Sequence, residues 1–276
     1  MRESNEKIKT LLLYAVCILV MATSIGAVIF VYTKDRKKEK LTTTTTSYGY
    51  DGEYVIDPMS DEDFQFWDGI EISEEATTSV EISEMPDNMS LTLEYMCQNP
   101  ELPSGCESVA LTMLLNYYGF DLDKTTIADK YLIFSNDNFV MGFKGNPKSS
   151  TGGGAYAPSM ANTANRFLIQ QGSDLRAINI SGTELEDLYP FIAGGTPVMV
   201  WSTINLQTPN PSGRVYLYGD TEYQWVSVEH CVILSGYNLE TNEVTVYDSI
   251  SGIMTYDKDE FKSTYDGMWR MAVIIQ

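Results

Sequence analysis

A long uncharged segment near the N-terminus divides this chain into parts that fold in different surroundings. Residues Leu11 to Tyr32 contain no charged side chain, and as a helix this run could cross a bilayer core of about 30 Å. A cleaved signal peptide is the alternative, because Ser24-Ile25-Gly26-Ala27 offers small residues of the kind found at cleavage sites. The apolar run continues to Tyr32, so we predict an uncleaved anchor at 11–32 after a short basic segment at 1–10.

Charge separates the same parts of the chain. Residues 1–40 contain eight Lys and Arg against four Asp and Glu, which leaves a net charge of −24 on the remainder. Phosphate binding needs a basic face, so no nucleic acid partner is predicted. Residues 33–90 are predicted to be a basic juxtamembrane stretch and then an acidic Ser/Thr-rich linker, disordered in large part. Within it, Phe64-Gln65-Phe66-Trp67 could instead dock on the domain or act as a removable pro-segment.

The remaining residues, 91–276, are enough for one domain with a sizeable core. Helical periodicity comes first and strand patterns follow, which predicts an α+β fold with an antiparallel sheet. The predicted helices are Cys106–Tyr118 and Ala157–Gln171, and the predicted strands are Thr196–Thr203, Arg214–Tyr218, His230–Tyr237, Glu243–Asp248 and Met268–Ile275.

Cys106 lies at the predicted start of the first helix. Ser104 and Glu107 have the spacing of a capping box, and Gly119 is a stop signal. In the first turn, free backbone N–H groups and the helix dipole favour a thiolate, which would make Cys106 nucleophilic. The alternative is a small buried apolar residue, the usual role of a free cysteine.

His230 is the only histidine of the chain, so any histidine chemistry must use it. Its strand is predicted to form a hairpin with the next one through a turn near Glu240. That turn places Asp248 opposite Val232, diagonal to His230 and within side-chain reach. Asp248 could hold one ring nitrogen while the other faces Cys106, as a nucleophile, a base and an orienting group require. A lone histidine on a strand can otherwise be purely structural.

The segment before and around Cys106 resembles the opening motif of papain-like bacterial cysteine peptidases. They are related to the peptidases that remove double-glycine leaders from bacteriocins, cysteine peptidase family thirty-nine. In that family the cysteine is the nucleophile, and a glutamine eight residues earlier, here Gln98, contributes to the oxyanion hole. The motif reads Tyr95-Met96-Cys97-Gln98-Asn99-Pro100-Glu101-Leu102-Pro103-Ser104-Gly105-Cys106-Glu107-Ser108.

The rest of the domain agrees with the resemblance in order. The family histidine precedes a Gly-Tyr pair, as His230 precedes Gly236-Tyr237, and the family aspartate matches Asp248. Proline commonly follows that aspartate in the family, whereas Ser249 follows it here. The resemblance covers Leu91 to Gln276 and implies a papain-like fold with its cleft between helix and sheet. Further matching segments are Gly145-Asn146-Pro147, Gly152-Gly153-Gly154 and Pro197-Val198-Met199-Val200-Trp201.

Two signals disagree on the side of the membrane that holds the domain. Three Lys or Arg precede the predicted anchor and five follow it by Lys40, which by the positive-inside rule favours a cytoplasmic domain. The Thr42 to Thr46 run and the acidic stretch after it resemble an extracytoplasmic stalk, and the family domain in anchored forms usually lies outside. We predict an extracytoplasmic domain, which would be secreted if the N-terminal segment is cleaved.

These expectations combine into a membrane-anchored cysteine peptidase with a peptide or protein substrate and no cofactor. Cys106 would attack the carbonyl, His230 would carry the proton and Asp248 would fix its tautomer. Gln98 and the backbone N–H of Cys106 would bind the oxyanion. The alternatives are a catalytically silent binding module, and a cell-wall peptide amidase or transpeptidase, since an acyl-thioester accepts water or an amine.

The other sequence patterns give weaker indications of function. Gly145 to Ser149 and the triple glycine lack the order of a phosphate loop and are interpreted as a flexible loop. That loop either borders the substrate cleft, where its backbone could approach a peptide closely, or is a plain surface loop. One histidine and scattered cysteines do not support a zinc site, and Asp61-Glu62-Asp63 is not a calcium loop. Cys97 and Cys231 are interpreted as reduced, buried residues that point away from the cleft, with a disulfide as the alternative. The loops predicted to contact substrate are Phe134–Tyr156 and Leu206–Val226.

Overall fold

The computed structural model describes residues 85–276, and elements are labelled here within that range. The helices are α1 (Cys106–Tyr117), α2 (Thr126–Lys130), α3 (Ala157–Gln170), α4 (Tyr189–Ala193) and α5 (Lys258–Gly267), with short 3-10 turns at Glu186–Leu188 and Ile204–Leu206. The strands are β1 (Asn88–Ser90), β2 (Ala177–Asn179), β3 (Val198–Thr203), β4 (Ser212–Tyr218), β5 (Thr221–Trp225), β6 (Glu229–Asn238), β7 (Glu243–Asp248), β8 (Gly252–Asp257) and β9 (Ala272–Ile275).

Seven strands form one antiparallel sheet in the order β2-β9-β3-β6-β7-β8, and β1 also pairs with β6. β4 and β5 form a separate hairpin. Helix α1 packs against β6 and β3. This is the predicted α+β fold with an antiparallel sheet, and the predicted packing of the cysteine-bearing helix on that sheet is confirmed.

β6 is the longest strand and changes its neighbours along its length. On one side, β3 pairs with Glu229 to Leu234, and β1 takes over at Gly236 to Asn238. On the other side, pairing with β7 runs from Asn238 only as far as Ile233. The first residues of β6, from Glu229, therefore extend past the paired part of β7, and this is where the start of α1 is placed.

Helix α1 is buried almost all round, because sheet and helices enclose it. All residues from Cys106 to Leu115 are buried, which fits a helix whose sequence is apolar on more than one face. The sequence pattern indicated a single buried face, so the burial is more extensive than predicted. Only the last turn, at Asn116 and Tyr117, is partly exposed.

Several boundaries differ from the predictions for local reasons. The last strand begins at Ala272 rather than Met268, because Met268 caps α5 and Trp269 and Arg270 have positive φ angles of 57° and 50°. Asp257, whose carboxylate accepts the N–H groups of the first turn, starts α5, which was not predicted. The predictions also lacked β1, β2, β5, β8, α2 and α4.

The membrane-related predictions fall outside the part of the chain that the structure describes. Within residues 85–276, none of the helices combines the length and the apolar character that a bilayer crossing needs. The predicted anchor at 11–32 and the linker up to residue 84 precede that range. The last three residues of the predicted linker, 88–90, form β1.

Candidate active site

Cys106 is the first residue of α1 and is only 6% exposed. Gly105 occupies the N-cap position without a side-chain cap. The predicted capping box is wrong: the Ser104 hydroxyl donates to the carbonyl of Ser149 at 2.7 Å, and Glu107 turns into the interior. A glycine suits this cap because a Cβ at position 105 would lie 2.8 Å from Cβ of Leu102.

The Cys106 thiol has an unusual neighbour for a proposed nucleophile. Its Sγ donates to Oε2 of Glu107 at 3.3 Å. Burial, followed by the charges of Glu107 and Glu229, raises the pKa of Cys106 well above its ordinary value, while the backbone N–H of Cys231 acts in the opposite direction. This arrangement favours the protonated thiol, in contrast to the thiolate expected from a helix start alone.

His230 and Asp248 meet as the hairpin pattern predicted. Nε2 of His230 lies 2.7 Å from Oδ1 of Asp248, and both side chains are buried. Ile233 pairs with Tyr247, which is the predicted register, and a bulge between Leu234 and Gly236 absorbs a one-residue shift nearer the turn. A register one residue different would turn Asp248 to the other face of the sheet.

The hydrogen bond with Asp248 fixes how the imidazole is presented. The same Oδ1 accepts the backbone N–H groups of Ile250 at 2.7 Å and Ser251 at 3.1 Å. Burial raises the pKa of Asp248, but the hydrogen bond and charge of His230 and these two N–H groups lower it further, so the net shift is downward. Asp248 is thus an anion, and Nδ1 of His230 stays buried with no hydrogen-bond partner among the described residues.

Gln98 is 2% exposed and is held by the segment that follows Asp248. Its backbone N–H donates to the carbonyl of Ser249 at 2.9 Å, and its Oε1 accepts the Ser249 hydroxyl at 2.6 Å. Nε2 donates to the carbonyl of Pro103 at 2.9 Å. A side-chain amide has two hydrogens, so this network orients Gln98 and leaves the second for another acceptor.

Ser249 is a site residue that the sequence reasoning did not assign. It stands where the resembling family commonly has proline, and that departure was the only signal in the sequence. A proline has no hydroxyl and could not donate to Oε1 of Gln98. The structure therefore gives the departure a definite role in orienting Gln98.

Glu107 and Glu229 form a buried carboxyl pair beside the thiol, which the sequence did not predict. The sulfur of Cys106 and one carboxylate oxygen each from Glu107 and Glu229 all lie within 4.8 Å of one another. Oε1 of Glu107 accepts the backbone N–H of Ala155 at 2.5 Å, while Oε2 of Glu229 has no partner among residues 85–276. Such a buried group needs an explanation, and the carboxyl of Glu107 is the neighbouring group that can hydrogen-bond to a protonated Glu229.

The pKa values of both carboxyls are displaced in the same direction. Burial raises the pKa of Glu107 to about 7. Burial and the neighbouring Glu107 raise the pKa of Glu229 well above its ordinary value. Two carboxyls this close cannot both ionise at their usual pH values, so the pair retains protons up to neutral pH.

The glycine-rich loop lies directly against the segment that precedes Cys106. The carbonyl of Pro147 accepts the N–H of Ser104 at 3.1 Å, and the loop closes on itself where Lys144 N–H donates to the Gly154 carbonyl at 2.9 Å. A Cβ on Gly154 would collide with Glu229 and lie 2.6 Å from Oε1 of Glu107. The glycine at position 154 therefore leaves the space that the carboxyl pair occupies.

The two loops predicted to contact substrate are joined by aromatic side chains. The ring of Phe139 lies 4.6 Å from that of Tyr156, 4.9 Å from that of Tyr216 and 5.2 Å from that of Trp225, measured between centroids. The Tyr216 hydroxyl also donates to the carbonyl of Asp137. Phe139 thus packs the first loop against the β4–β5 hairpin.

The two cysteines beside proposed site residues differ in their surroundings. Both are free thiols, so the alternative of a disulfide does not describe this structure. Cys231 is buried, whereas Cys97 is exposed, so the expectation of burial is wrong for Cys97. The next side chain, Gln98, turns inward to Ser249 and Pro103, which leaves position 97 at the surface.

The fold and this arrangement define a papain-like α+β protein with a candidate cysteine site. Residues 90–273 match the Peptidase_C39 like family, and the chain belongs to that family. The Bacillus subtilis (strain 168) protein YvpB, which is uncharacterised, is 26% identical over 215 residues, covering 73% of this chain and 80% of YvpB.

A solved structure shows the same fold. A Bacillus anthracis protein described as a C39-like peptidase has a TM-score of 0.58 at 24% identity, covering 68% of this chain and 97% of that one. A double-glycine motif protease from an AMS/PCAT transporter, solved with its leader peptide, has 14% identity and a TM-score of 0.39, covering 68% of this chain and 91% of that one. A TM-score of 0.39 is too low to show a common fold.

The carboxyl pair predicts how stability depends on pH. Both pKa values are raised on folding, so the native protein binds more protons than the unfolded chain above the ordinary glutamate value of 4.5. Stability is therefore full below that value and is lost as pH rises through about 7. In denaturant unfolding between pH 5 and 8, Glu229→Gln should lose less stability than wild type, by up to about 1.4 kcal/mol per pH unit.

Glu240 provides the matched control for this measurement, because it is an exposed carboxyl in the β6–β7 turn. Glu240→Gln should follow the wild-type pH dependence. Parallel stability curves for wild type and Glu229→Gln would contradict the displaced pKa of the buried pair.

Proposed function

We propose that this protein is a membrane-anchored cysteine peptidase that hydrolyses peptide bonds. In this proposal Cys106 is the nucleophile, His230 is the general base, Asp248 is the carboxylate that orients His230, and Gln98 is a donor in the oxyanion hole. The supporting observation is the state of His230: Nε2 is fixed by Asp248 at 2.7 Å, and the buried Nδ1 is unpartnered within residues 85–276. Membership of the Peptidase_C39 like family supports the same chemistry.

The position of Cys106 relative to β6 supports its part in the reaction. The backbone N–H of Cys231, the residue after His230, lowers the pKa of the Cys106 thiol, although burial and the neighbouring carboxyl charges raise it overall. In the proposed first step, the thiol proton moves to Nδ1 of His230 and the sulfur attacks the substrate carbonyl carbon. His230 then gives that proton to the leaving amine, and water hydrolyses the thioester with His230 again as base.

The oxyanion would be stabilised by donors that are already oriented. The second amide hydrogen of Gln98 and the backbone N–H of Cys106 at the start of α1 are the proposed donors. Gln98 is held through both its amide oxygen and its amide nitrogen. Donors that need no reorganisation during the reaction are the ones that contribute most to the rate.

Removal of either partner of the proposed Cys-His pair should abolish peptide hydrolysis. The purified full chain in detergent would be incubated with a library of unstructured peptides, and cleavage would be followed by mass spectrometry. We expect Cys106→Ala and His230→Ala to lose activity by about 10³-fold or more, because proton transfer and covalent attack depend on each other. Cys97→Ser is the control, since Cys97 is exposed and free, and it should cleave as wild type does.

Equal cleavage by wild type and Cys106→Ala would contradict the proposal. No cleavage by a folded wild type, with peptides still bound, would favour a silent binding module. Transfer of the acyl group to added amines with little hydrolysis would favour a transpeptidase.

Substitution of Gln98 should reduce the rate of peptide hydrolysis more than substitution of Ser249. Gln98→Ala removes a proposed oxyanion donor and should reduce kcat by about 10² to 10³. Ser249→Ala keeps that donor and removes only the hydroxyl that anchors Oε1, so a smaller loss is expected. Steady-state kinetics on one cleaved peptide would measure both, and a larger effect of Ser249→Ala than of Gln98→Ala would contradict these roles.

The proposed location is the cell membrane, with a single anchor at Leu11 to Tyr32 and an extracytoplasmic domain. The uncharged run and the Thr-rich, acidic stretch after it support this proposal. The full chain should stay in the membrane pellet after an alkaline carbonate wash, and protease added to intact cells should digest its domain. A released chain that begins after Ala27 would show cleavage instead, and a domain resistant to external protease would reverse the orientation.

A further inference from the structure

Two buried acidic side chains lie next to Cys106. Negative charge at this position opposes formation of the thiolate that a cysteine peptidase needs. Glu107 follows Cys106 directly on α1, and Glu229 precedes His230 directly on β6. They are 0% and 7% exposed. In residues 85–276, the ion pairs of lysine and arginine all go to other carboxylates. The pair is thus not neutralised by a basic side chain.

The geometry shows how the pair reaches the thiol. One oxygen of Glu107 is fixed by the N–H of Ala155 at 2.5 Å, and the other accepts the Cys106 Sγ–H at 3.3 Å. A carboxylate oxygen of Glu229 lies within 4.8 Å of both the Cys106 sulfur and an oxygen of Glu107, and Gly154 leaves room for both carboxyls. Within the described residues Oε2 of Glu229 lacks a hydrogen-bond partner, and the side chain of Glu107 is the neighbour that, by hydrogen bonding and charge, favours the protonated form of Glu229.

We propose that Glu107 and Glu229 bind protons as a coupled pair and thereby control the ionisation of Cys106, so that the thiol becomes nucleophilic when both carboxyls are protonated and is silenced when the pair has lost a proton. The proposal rests on the proposed function in that Cys106 is the nucleophile. Glu107 and Glu229 act here as positioning residues, through Cys106 and not on a substrate.

The proton balance explains the direction of the effect. When both carboxyls are protonated, transfer of the thiol proton to Nδ1 of His230 creates a sulfur anion and an imidazolium with no further charge beside the sulfur. When the pair has lost one proton, the thiol donates to the carboxylate, and the same transfer would place two anions in contact. In a buried site such like charges strongly disfavour each other.

The other titratable groups around the pair do not reverse this direction. His230 attracts the charge of Glu107, but its imidazole is already hydrogen-bonded to anionic Asp248. Cys231 on β6 and Tyr156 before α3 are both kept neutral, because burial and the carboxyl charges raise their pKa values. Glu107, in direct contact with the sulfur, therefore dominates.

The test compares the pH dependence of Cys106 alkylation in wild type and Glu107→Gln. The full chain in detergent would be treated with iodoacetamide between pH 5.5 and 8.5, and the rate at Cys106 followed by peptide mass spectrometry. The rate ratio of variant to wild type should be near one at pH 5.5 and at least about tenfold at pH 8, since one unit of thiol pKa is tenfold in thiolate. Glu240→Gln should match wild type throughout.

Each outcome decides the proposal. A ratio that is constant with pH, whatever its size, would indicate a purely structural role for Glu107 and would overturn it. If Glu107→Gln does not fold, the pH dependence of the wild type alone tests the proposal. The rate of Cys106 alkylation in the wild type should stay nearly constant between pH 7 and 8. A tenfold rise in that rate per pH unit would overturn the proposal. No peptide is cleaved in this experiment, so missing peptidase activity would refute the proposed function and leave this inference standing.

Discussion

The burial of the first turn of α1 against the first residues of β6 is the constraint on which this site depends. It places Cys106 and Glu107 from one element beside Glu229, His230 and Cys231 from the other. β6 can accept the helix there because β7 leaves it after Ile233. The backbone N–H of Cys231, which lies beyond the last paired residue of β6 on that side, lowers the pKa of the Cys106 thiol.

That packing brings costs as well as contacts. Two carboxyls, a thiol and an imidazole are removed from water together, and each charged form is penalised by burial. Only Asp248 has enough donors to remain ionised, with His230 and two backbone N–H groups around one oxygen. Burial raises the pKa of Glu107 to about 7 and raises the pKa values of Glu229 and Cys106 well above their ordinary values, so below pH 7 the described site has fewer charges than its residue types suggest.

Helices α1 and α3, strands β3, β4, β6, β7 and β9, and the contact between His230 and Asp248 could be predicted from the sequence because they depend on local patterns. Helical periodicity gave α1 and α3, and the turn near Glu240 gave the pairing that brings Asp248 to His230. The capping-box spacing of Ser104 and Glu107 led to a wrong prediction. This helix start is buried, and Glu107 accepts the N–H of Ala155 instead of capping the helix.

The pair of Glu107 and Glu229 could not be predicted, since 121 positions separate them and no local pattern signals a coupled pair. Ser249 was visible as a departure from the resembling family, but its role depends on a contact with Gln98, 151 residues away. Long-range contacts between polar side chains decide both cases. Periodicity describes which faces are buried, not which polar atoms meet there.

The contact between Gln98 and Ser249 has a mechanical consequence. Ser249 is covalently joined to Asp248, and both lie where β7 turns into β8, so one short turn carries the anchor of the amide and the partner of the imidazole. Ile250 and Ser251 in that turn fix the Asp248 carboxylate through their N–H groups. A displacement of this turn would misalign Gln98 and His230 together, so the alignment of both side chains depends on this one turn.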